Sequence, residues 1–213
     1  MSPDSRKIRL VMTLRRAGVT DTRVLAAVER IPRDLFAPPA FIDKAYENTA
    51  LPIGFHQTMS APIVVALMTQ ALELRERQKV LEVGTGSGYQ AVVLSRLCRR
   101  VYTIERYREM LSQAEERFAQ LRITNITSRV GDGTFGWPEQ APFERIIVTA
   151  AATDIPPLLA AQLADGGVMV LPIDDGSGGQ SLIRVRRVGV ELDTEDIGEA
   201  RFVPLVAGDE PRG

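Results

Sequence analysis

The segment Val80-Leu81-Glu82-Val83-Gly84-Thr85-Gly86-Ser87-Gly88-Tyr89-Gln90 holds the strongest local signal in the chain. Val80 to Val83 is a short apolar run. Three glycines then alternate with small hydroxylated residues, and Ala91-Val92-Val93-Leu94 resumes an apolar pattern that can wind as a helix. The unit reads as strand, tight loop, helix. The first N–H groups of such a helix lack intrahelical partners and point at the loop, where their partial positive charge suits a carboxylate or phosphate. Without β-carbons at 84, 86 and 88, a ligand can lie against the backbone.

On either side of this unit the pattern separates into two regimes. From Lys79 onward strands and helices alternate, the signature of a parallel sheet with right-handed crossovers. Strands are expected at 80–83, 101–104 (ending on Glu105), 126–130, 146–149, 168–173, 181–188 and 202–206, with helices at 107–121 and 156–163 and a glycine-rich hairpin at 174–180. The fold class is therefore α/β, a doubly wound, mostly parallel, Rossmann-like sheet. Ahead of it lies a helical extension. Ile8, Val11, Met12 and Arg15 have helical spacing in a segment ending at Gly18, and a second helix follows Asp21, burying Val24, Leu25 and Val28. Residues 50–62 carry two prolines, a glycine and clustered polar side chains, and lead into a helix over Pro62 to Leu74. Read from its neighbours alone, Ser60 is the N-cap of that helix. Residues 209–213 read as a loose tail.

Composition narrows the function. In 213 residues, 45% are hydrophobic, enough for one substantial core and one domain. The net charge is −1 with dispersed basic residues, which argues against a nucleic-acid partner. Cys98 is the only cysteine and His56 the only histidine, so an internal disulfide is excluded and no metal site is expected. A reducing, cytoplasmic setting fits best. Met1 to Thr13 lacks the apolar core of a signal peptide, and the longest apolar run, Ala61 to Met68, is far short of the ~20 residues that span a bilayer, so no membrane partner is expected.

Ligands of open α/β sheets bind beyond the carboxyl ends of the strands. The glycine loop, Glu105, Asp132 with Gly133, and Ala150-Ala151-Ala152 all fall at that edge. Tyr89 occupies the place of the third glycine of a dinucleotide fingerprint, and Ser87 lacks the flanking glycines of a hydrolase elbow. The G-x-G-x-G spacing instead resembles the loop of class I S-adenosylmethionine (AdoMet) methyltransferases. Glu105 lies 21 positions after Gly84, about where an acid accepts hydrogen bonds from ribose hydroxyls. Asp132 reads either as a turn residue or as a contact to the adenosine half of a cofactor. The three alanines either pack or leave room for a reacting methyl group. His56 reads as structural, and a Ser60–His56 nucleophile pair lacks a third member.

Longer stretches carry a more specific resemblance. Ala50 to Gly54, Gln57-Thr58-Met59-Ser60-Ala61-Pro62, Val80 to Gln90, Gly131-Asp132-Gly133 with Gly136-Trp137, Ala141-Pro142-Phe143 leading to Ile146–Ala151, and Arg201-Phe202-Val203-Pro204-Leu205-Val206 closely resemble protein-L-isoaspartate (D-aspartate) O-methyltransferases. The resemblance spans nearly the whole chain. It implies a seven-stranded AdoMet-methyltransferase sheet, divided as an N-terminal helical and substrate-loop extension (1–78), an AdoMet-binding core (79–173) and C-terminal strands (174–213). It implies cofactor contacts from Glu82, Gly84, Thr85, Gly86, Ser87, Gly88, Glu105, Asp132 and Gly133, and an active-site serine at Ser60. Ile53, Gly54, Gln57, Thr58, Ser60, Val203 and Leu205 would bind substrate. Where bacterial members commonly read Gly-x-Gly-Gln-Thr-Ile-Ser, this chain has Gly54-Phe55-His56-Gln57-Thr58-Met59-Ser60, and Ile63 replaces an aromatic residue or histidine.

The implied reaction moves the AdoMet methyl to the free α-carboxylate of an isoaspartyl, and by extension a D-aspartyl, residue in damaged proteins and peptides. The ester then closes to a succinimide without further help. A monomer with protein substrates, AdoMet as cofactor and no metal follows. Such a carboxylate is already ionised at neutral pH, so the step asks for alignment and no strong base. Two rivals are a methyltransferase acting on a small molecule, and a module that binds AdoMet or a nucleotide without turnover.

Overall fold

The computed structural model describes residues 3–208, so the expected loose tail at 209–213 lies outside the described residues. The chain begins with helices α1 (Pro3–Arg16) and α2 (Thr22–Arg30), continues through two 3-10 turns, and forms a small hairpin, β1 (Leu51–Gly54) and β2 (Gln57–Met59), before helix α3 (Pro62–Ala71). The core then alternates β3 (Lys79–Val83), α4 (Tyr89–Ser95), β4 (Arg100–Glu105), α5 (Arg108–Gln120), β5 (Ile126–Val130), β6 (Phe143–Val148), α6 (Pro157–Ala161), β7 (Leu163–Asp174), β8 (Gln180–Val188) and β9 (Glu191–Glu199). One seven-stranded sheet has the order β5-β4-β3-β6-β7-β8-β9. Strands β5 to β7 run parallel, whereas β7, β8 and β9 pair antiparallel. The mostly parallel, doubly wound sheet with an N-terminal helical region is the architecture expected from the strand–helix alternation.

The centre of the sheet explains its own sequence. β3 and β6 are covered on both faces, so Val80, Leu81, Ile146, Ile147 and Val148 are all fully buried and both strands are mainly apolar, with Glu82 a buried exception in β3. Helix α4 is buried along its whole length, whereas α5 is amphipathic and turns Met110, Leu111, Ala114 and Phe118 inward. The larger apolar side chains among them, such as Met110 and Leu111, each contribute roughly 1.5–3 kcal/mol by leaving water. In front of the sheet one side chain of α3 gathers the turn of the helical extension. Gln70 Oε1 of α3 accepts the Thr20 and Asp21 N–H groups at 2.7 and 2.9 Å, and its Nε2 donates to Gly18 O, locking the α1–α2 turn onto α3. Asp21 caps α2 by accepting Arg23 N–H at 2.8 Å, and Val24, Leu25 and Val28 are buried as their spacing required.

Four local expectations are corrected. The seventh strand is Glu191–Glu199, whose dominant acidic residues hide any two-residue alternation because an edge strand is mostly exposed. Residues 202–206, expected to be that strand, join no ladder of the sheet and form only an isolated bridge between Pro204 and Ala151. In α1 the inward face is Leu10 and Leu14, while Ile8 and Met12 are about half exposed. Residues 50–62 are no open loop but hold the β1–β2 hairpin, with Phe55 and His56 as its two-residue turn.

Candidate active site

The sheet changes direction of winding between β3 and β6, and the carboxyl ends of β3, β4 and β6 open into a cleft of about 280 Å³. Its floor is Val83, Gly84 and Gly86 of the glycine loop. One wall is Ile104, Glu105, Arg106, Tyr107 and Met110, and the other is Thr149, Ala150 and the segment Phe202 to Val206, with His56, Gln57 and Thr58 of the hairpin at the rim. A narrower recess of about 40 Å³ adjoins it behind the same glycines. Ser60, Thr85, Ser87 and Tyr89 line that recess, which shares Thr58, Gly84, Gly86, Thr149 and Phe202 with the main cleft.

Backbone geometry shapes the floor. Gly84, Gly86 and Gly88 have φ of +95°, +53° and +87°. A β-carbon on Gly84 would collide with the Thr149 hydroxyl, which donates to Gly84 O at 2.7 Å and to Val83 O at 3.0 Å. Gly88 in turn lies against the Phe118 ring of α5. The loop is therefore held from β6 on one side and α5 on the other.

Glu105 is the polar centre of the wall. Its side chain accepts Gly86 N–H on Oε2 at 2.9 Å and Tyr107 N–H on Oε1 at 3.1 Å. The residue is only 6% exposed, yet it borders the cleft, so lone pairs left over by these bonds suit vicinal hydroxyl donors there.

Glu82 lies one layer deeper and is fully buried. Thr103 Oγ1 donates to its Oε2 at 2.5 Å, so the Thr85 hydroxyl, 2.6 Å from Thr103, must donate in its turn. The glycine loop is thus wired to Glu82 through two hydroxyls. Burial pushes the Glu82 carboxyl up to about 8, the Thr103 hydrogen bond opposes that rise, and the neighbouring charge of Glu105 adds to it. Its Oε1 has no partner among the described residues. A buried carboxyl oxygen without a partner under a glycine floor, beside a carboxylate at the strand end, fits a polar cofactor with ribose hydroxyls.

The remaining expected positions divide. Gln57, Thr58, Val203, Leu205 and Gly133 line the cleft, and Thr58 reaches the recess as well. Ile53 instead lies behind the hairpin, against a separate hollow with Phe36, Ser87 and Arg117, and Gly54 lines neither cavity. Asp132 also stays outside the wall. Its Oδ1 accepts from Thr134 N and Oγ1 at 2.8 and 2.6 Å, and its Oδ2 accepts Gly208 N–H at 2.5 Å. Burial raises the Asp132 carboxyl, but the bonds from Thr134 and Gly208 outweigh it and hold it below its usual value. The N-cap expected of Ser60 is not formed. Ala61 is the cap residue and makes no side-chain cap bond, while Asn48 Oδ1 accepts Ile63 N–H from a neighbouring loop. The Ser60 hydroxyl is thereby spared for the recess.

Several contributors carry no recognisable sequence signal. Tyr107 and Met110 enter the wall only because α5 starts against the end of β4. Phe55 stacks on Tyr107 with ring centroids 5.2 Å apart, tying the hairpin tip to that wall. Gln180 clamps the far lip by accepting Phe202 N–H at 2.7 Å and donating to Phe202 O at 3.1 Å, while Ala151 exchanges backbone bonds with Val203 and Leu205. Among the described residues no group of acidic, cysteine or histidine side chains could hold a metal ion, and no helix is long and apolar enough to cross a membrane.

Comparison with known proteins agrees with this geometry. The family model described as protein-L-isoaspartate(D-aspartate) O-methyltransferase (PCMT) matches residues 5–210. A protein-L-isoaspartate O-methyltransferase of Rhodospirillum rubrum is 62% identical over 214 residues, covering 100% of this chain and 98% of the relative. A solved protein-L-isoaspartate O-methyltransferase superposes with a TM-score of 0.85 at 28% identity, over 95% of this chain and 66% of that one. A Plasmodium falciparum structure titled as a putative member, in complex with S-adenosyl-L-homocysteine, gives a TM-score of 0.79 at 22% identity over 93% and 97% of the two chains. A glycine-floored cleft at the switch point, with a family match running through every element that builds it, has one assignment: the chain belongs to the protein-L-isoaspartate(D-aspartate) O-methyltransferase family.

Proposed function

We propose that the cleft and its recess divide the labour of this family's reaction, the cleft holding AdoMet and the recess side presenting the substrate carboxylate. The activity is transfer of the AdoMet methyl to the free α-carboxylate of isoaspartyl residues in damaged proteins, the first step of repair through a succinimide. The observation that carries the division is Glu105. Its carboxylate, fixed by Gly86 and Tyr107 N–H groups, borders the cleft on one side of the glycine floor, and Ser60 lies in the recess on the other.

In this reading Glu105 takes the ribose hydroxyls, and Ile104, Tyr107 and Met110 offer apolar surface to a flat purine. The Gly84–Gly88 backbone, with Thr85 linked to Glu82, receives the amino-acid end. AdoMet supplies a methyl on a sulfonium, an electrophile that needs no further activation. The chain's task is alignment. A substrate carboxylate is ionised at neutral pH, so the gain comes from holding its oxygen about 3–3.5 Å from the reacting carbon and in line. The Ser60 hydroxyl donates a positioning hydrogen bond to that carboxylate, and Thr58, Gln57, Val203 and Leu205 hold the flanking peptide. Asp132 acts from behind, anchoring the segment that carries Val203 and Leu205. A monomer in the cytoplasm suits a protein whose one cysteine, Cys98, is buried, with its thiol pushed up to about 12 by desolvation.

The test is methyl transfer from labelled AdoMet to an isoaspartyl peptide and to its normal aspartyl counterpart. Only the isoaspartyl peptide should be labelled, and Ser60→Ala should lower kcat while leaving S-adenosylhomocysteine affinity intact. Cofactor binding without any transfer would favour a non-catalytic module instead.

A further inference from the structure

Arg33 is a fully buried cation that makes no ion pair with a carboxylate among the described residues. It follows Pro32 in a 3-10 turn and reaches inward. Its Nε donates to Ala45 O at 2.8 Å, and its Nη2 donates to Ser60 O at 2.8 Å. The guanidinium carbon lies 4.5 Å from the centroid of the Tyr89 ring, and Tyr89 is the first residue of α4, directly after Gly88. Nη1 finds no acceptor among the described residues. Burying a charge against neutral carbonyls and a ring is unfavourable for stability by itself, and an apolar side chain of similar volume would serve packing better. A retained cost of this kind points to a local task.

The three partners define that task. Ser60 sits where the hairpin ends and α3 begins, and Tyr89 fixes the end of the glycine loop. One guanidinium therefore spans from the Ser60 backbone to the Tyr89 ring, two residues that both line the recess. The planar fork suits such bridging, because its donors diverge in fixed directions where a lysine ammonium is a single flexible point. We propose that Arg33 is a positioning residue for methyl transfer, setting the separation between Ser60 and the glycine loop through the Ser60 carbonyl. This rests on the reading of Ser60 as the group that orients the substrate carboxylate. Arg33 itself touches neither substrate nor cofactor. Its effect belongs to kcat, since alignment of carboxylate oxygen and methyl carbon is realised only on the way to the transition state.

The experiment is a double-mutant cycle on the full chain with Arg33→Met, Ser60→Ala and the combination, read as kcat and KM for an isoaspartyl peptide and as S-adenosylhomocysteine affinity by calorimetry. Arg33→Met should lower kcat about 10- to 100-fold in the Ser60 background, as a displacement near 1 Å does. In the Ser60→Ala background it should cost no more than about twofold, the margin within which independent effects add. Arg33→Lys, which keeps the charge and one donor contact, should recover part of kcat, and it takes the place of Arg33→Met in the cycle if the methionine variant does not fold. Equal losses in the two backgrounds would overturn the positioning role while leaving Ser60 as assigned. A Ser60→Ala enzyme with wild-type kcat would instead overturn the reading of Ser60, and the role of Arg33 with it.

Discussion

Glu105 Oε2 accepts the Gly86 N–H at 2.9 Å, so the carboxylate that ends β4 is bonded to the middle of the loop that follows β3. The side chain that offers lone pairs to the cofactor cleft therefore also fixes the floor of that cleft. Removing it takes away ligand contacts and loosens the loop in one step.

Glu105→Ala should weaken S-adenosylhomocysteine binding by roughly 10- to 150-fold, the equivalent of charge-assisted hydrogen bonds worth roughly 1.5–3 kcal/mol. Isothermal calorimetry reads this directly. Unchanged affinity would remove Glu105 from the cofactor site.

Glu82 gives the apoprotein a pH signature. Its carboxyl is raised to about 8 in the folded chain and titrates near its ordinary value of 4.5 when unfolded. Between those values the folded state binds one proton more than the unfolded state, so stability is greatest below the lower value and falls as pH rises toward the upper one, by roughly 1.4 kcal/mol per pH unit. Glu82→Gln stays neutral and should flatten that slope, making the variant the more stable protein near pH 7. Urea denaturation at several pH values measures it, and parallel slopes for the two proteins would show that Glu82 is ionised in the fold.

The hairpin turn holds two side chains in the left-handed region, Phe55 at φ +50° and His56 at φ +55°. Non-glycine residues there cost roughly 1–2 kcal/mol each. His56→Gly should raise stability by about 0.5–1 kcal/mol, after allowance for the extra freedom of glycine in the unfolded chain. For a chain of this length the melting temperature should rise by roughly 1–4 °C. No rise would mean that the exposed imidazole makes compensating contacts at the rim.

Asp132 tests whether a residue outside the wall controls the lip. With Asp132→Ala the Thr134 and Gly208 N–H groups lose their acceptor, and the segment carrying Val203 and Leu205 is held less firmly. Peptide KM should rise several-fold, by roughly the worth of one or two such bonds, while S-adenosylhomocysteine affinity changes less. A larger loss of cofactor affinity than of peptide binding would return Asp132 to the adenosine site.

Gly84 to Gly88, the apolar runs of β3, β4 and β6, and Glu105 at the end of β4 were legible along the chain because each is a local pattern of a few consecutive residues. That pattern determines strand, loop and helix, and with them the sheet edge where a cofactor must lie. The antiparallel edge strand Glu191–Glu199 was not legible, since exposure on both faces erases the apolar alternation by which strands announce themselves. Nor could neighbours in sequence show that Ser60 is released from capping, because the acceptor that replaces it, Asn48, comes from a separate loop. Arg33, set between Pro32 and Asp34, carries no local sign of burial and is enclosed by groups distant in sequence, the Ser60 carbonyl and the Tyr89 ring. The sequence by itself determined the sheet and the chemistry along its edge. Tertiary structure alone decided which polar side chains face the cleft and which are spent on holding it. Hydrogen-bond partners distant along the chain are matched by packing in space, and no local spacing encodes them.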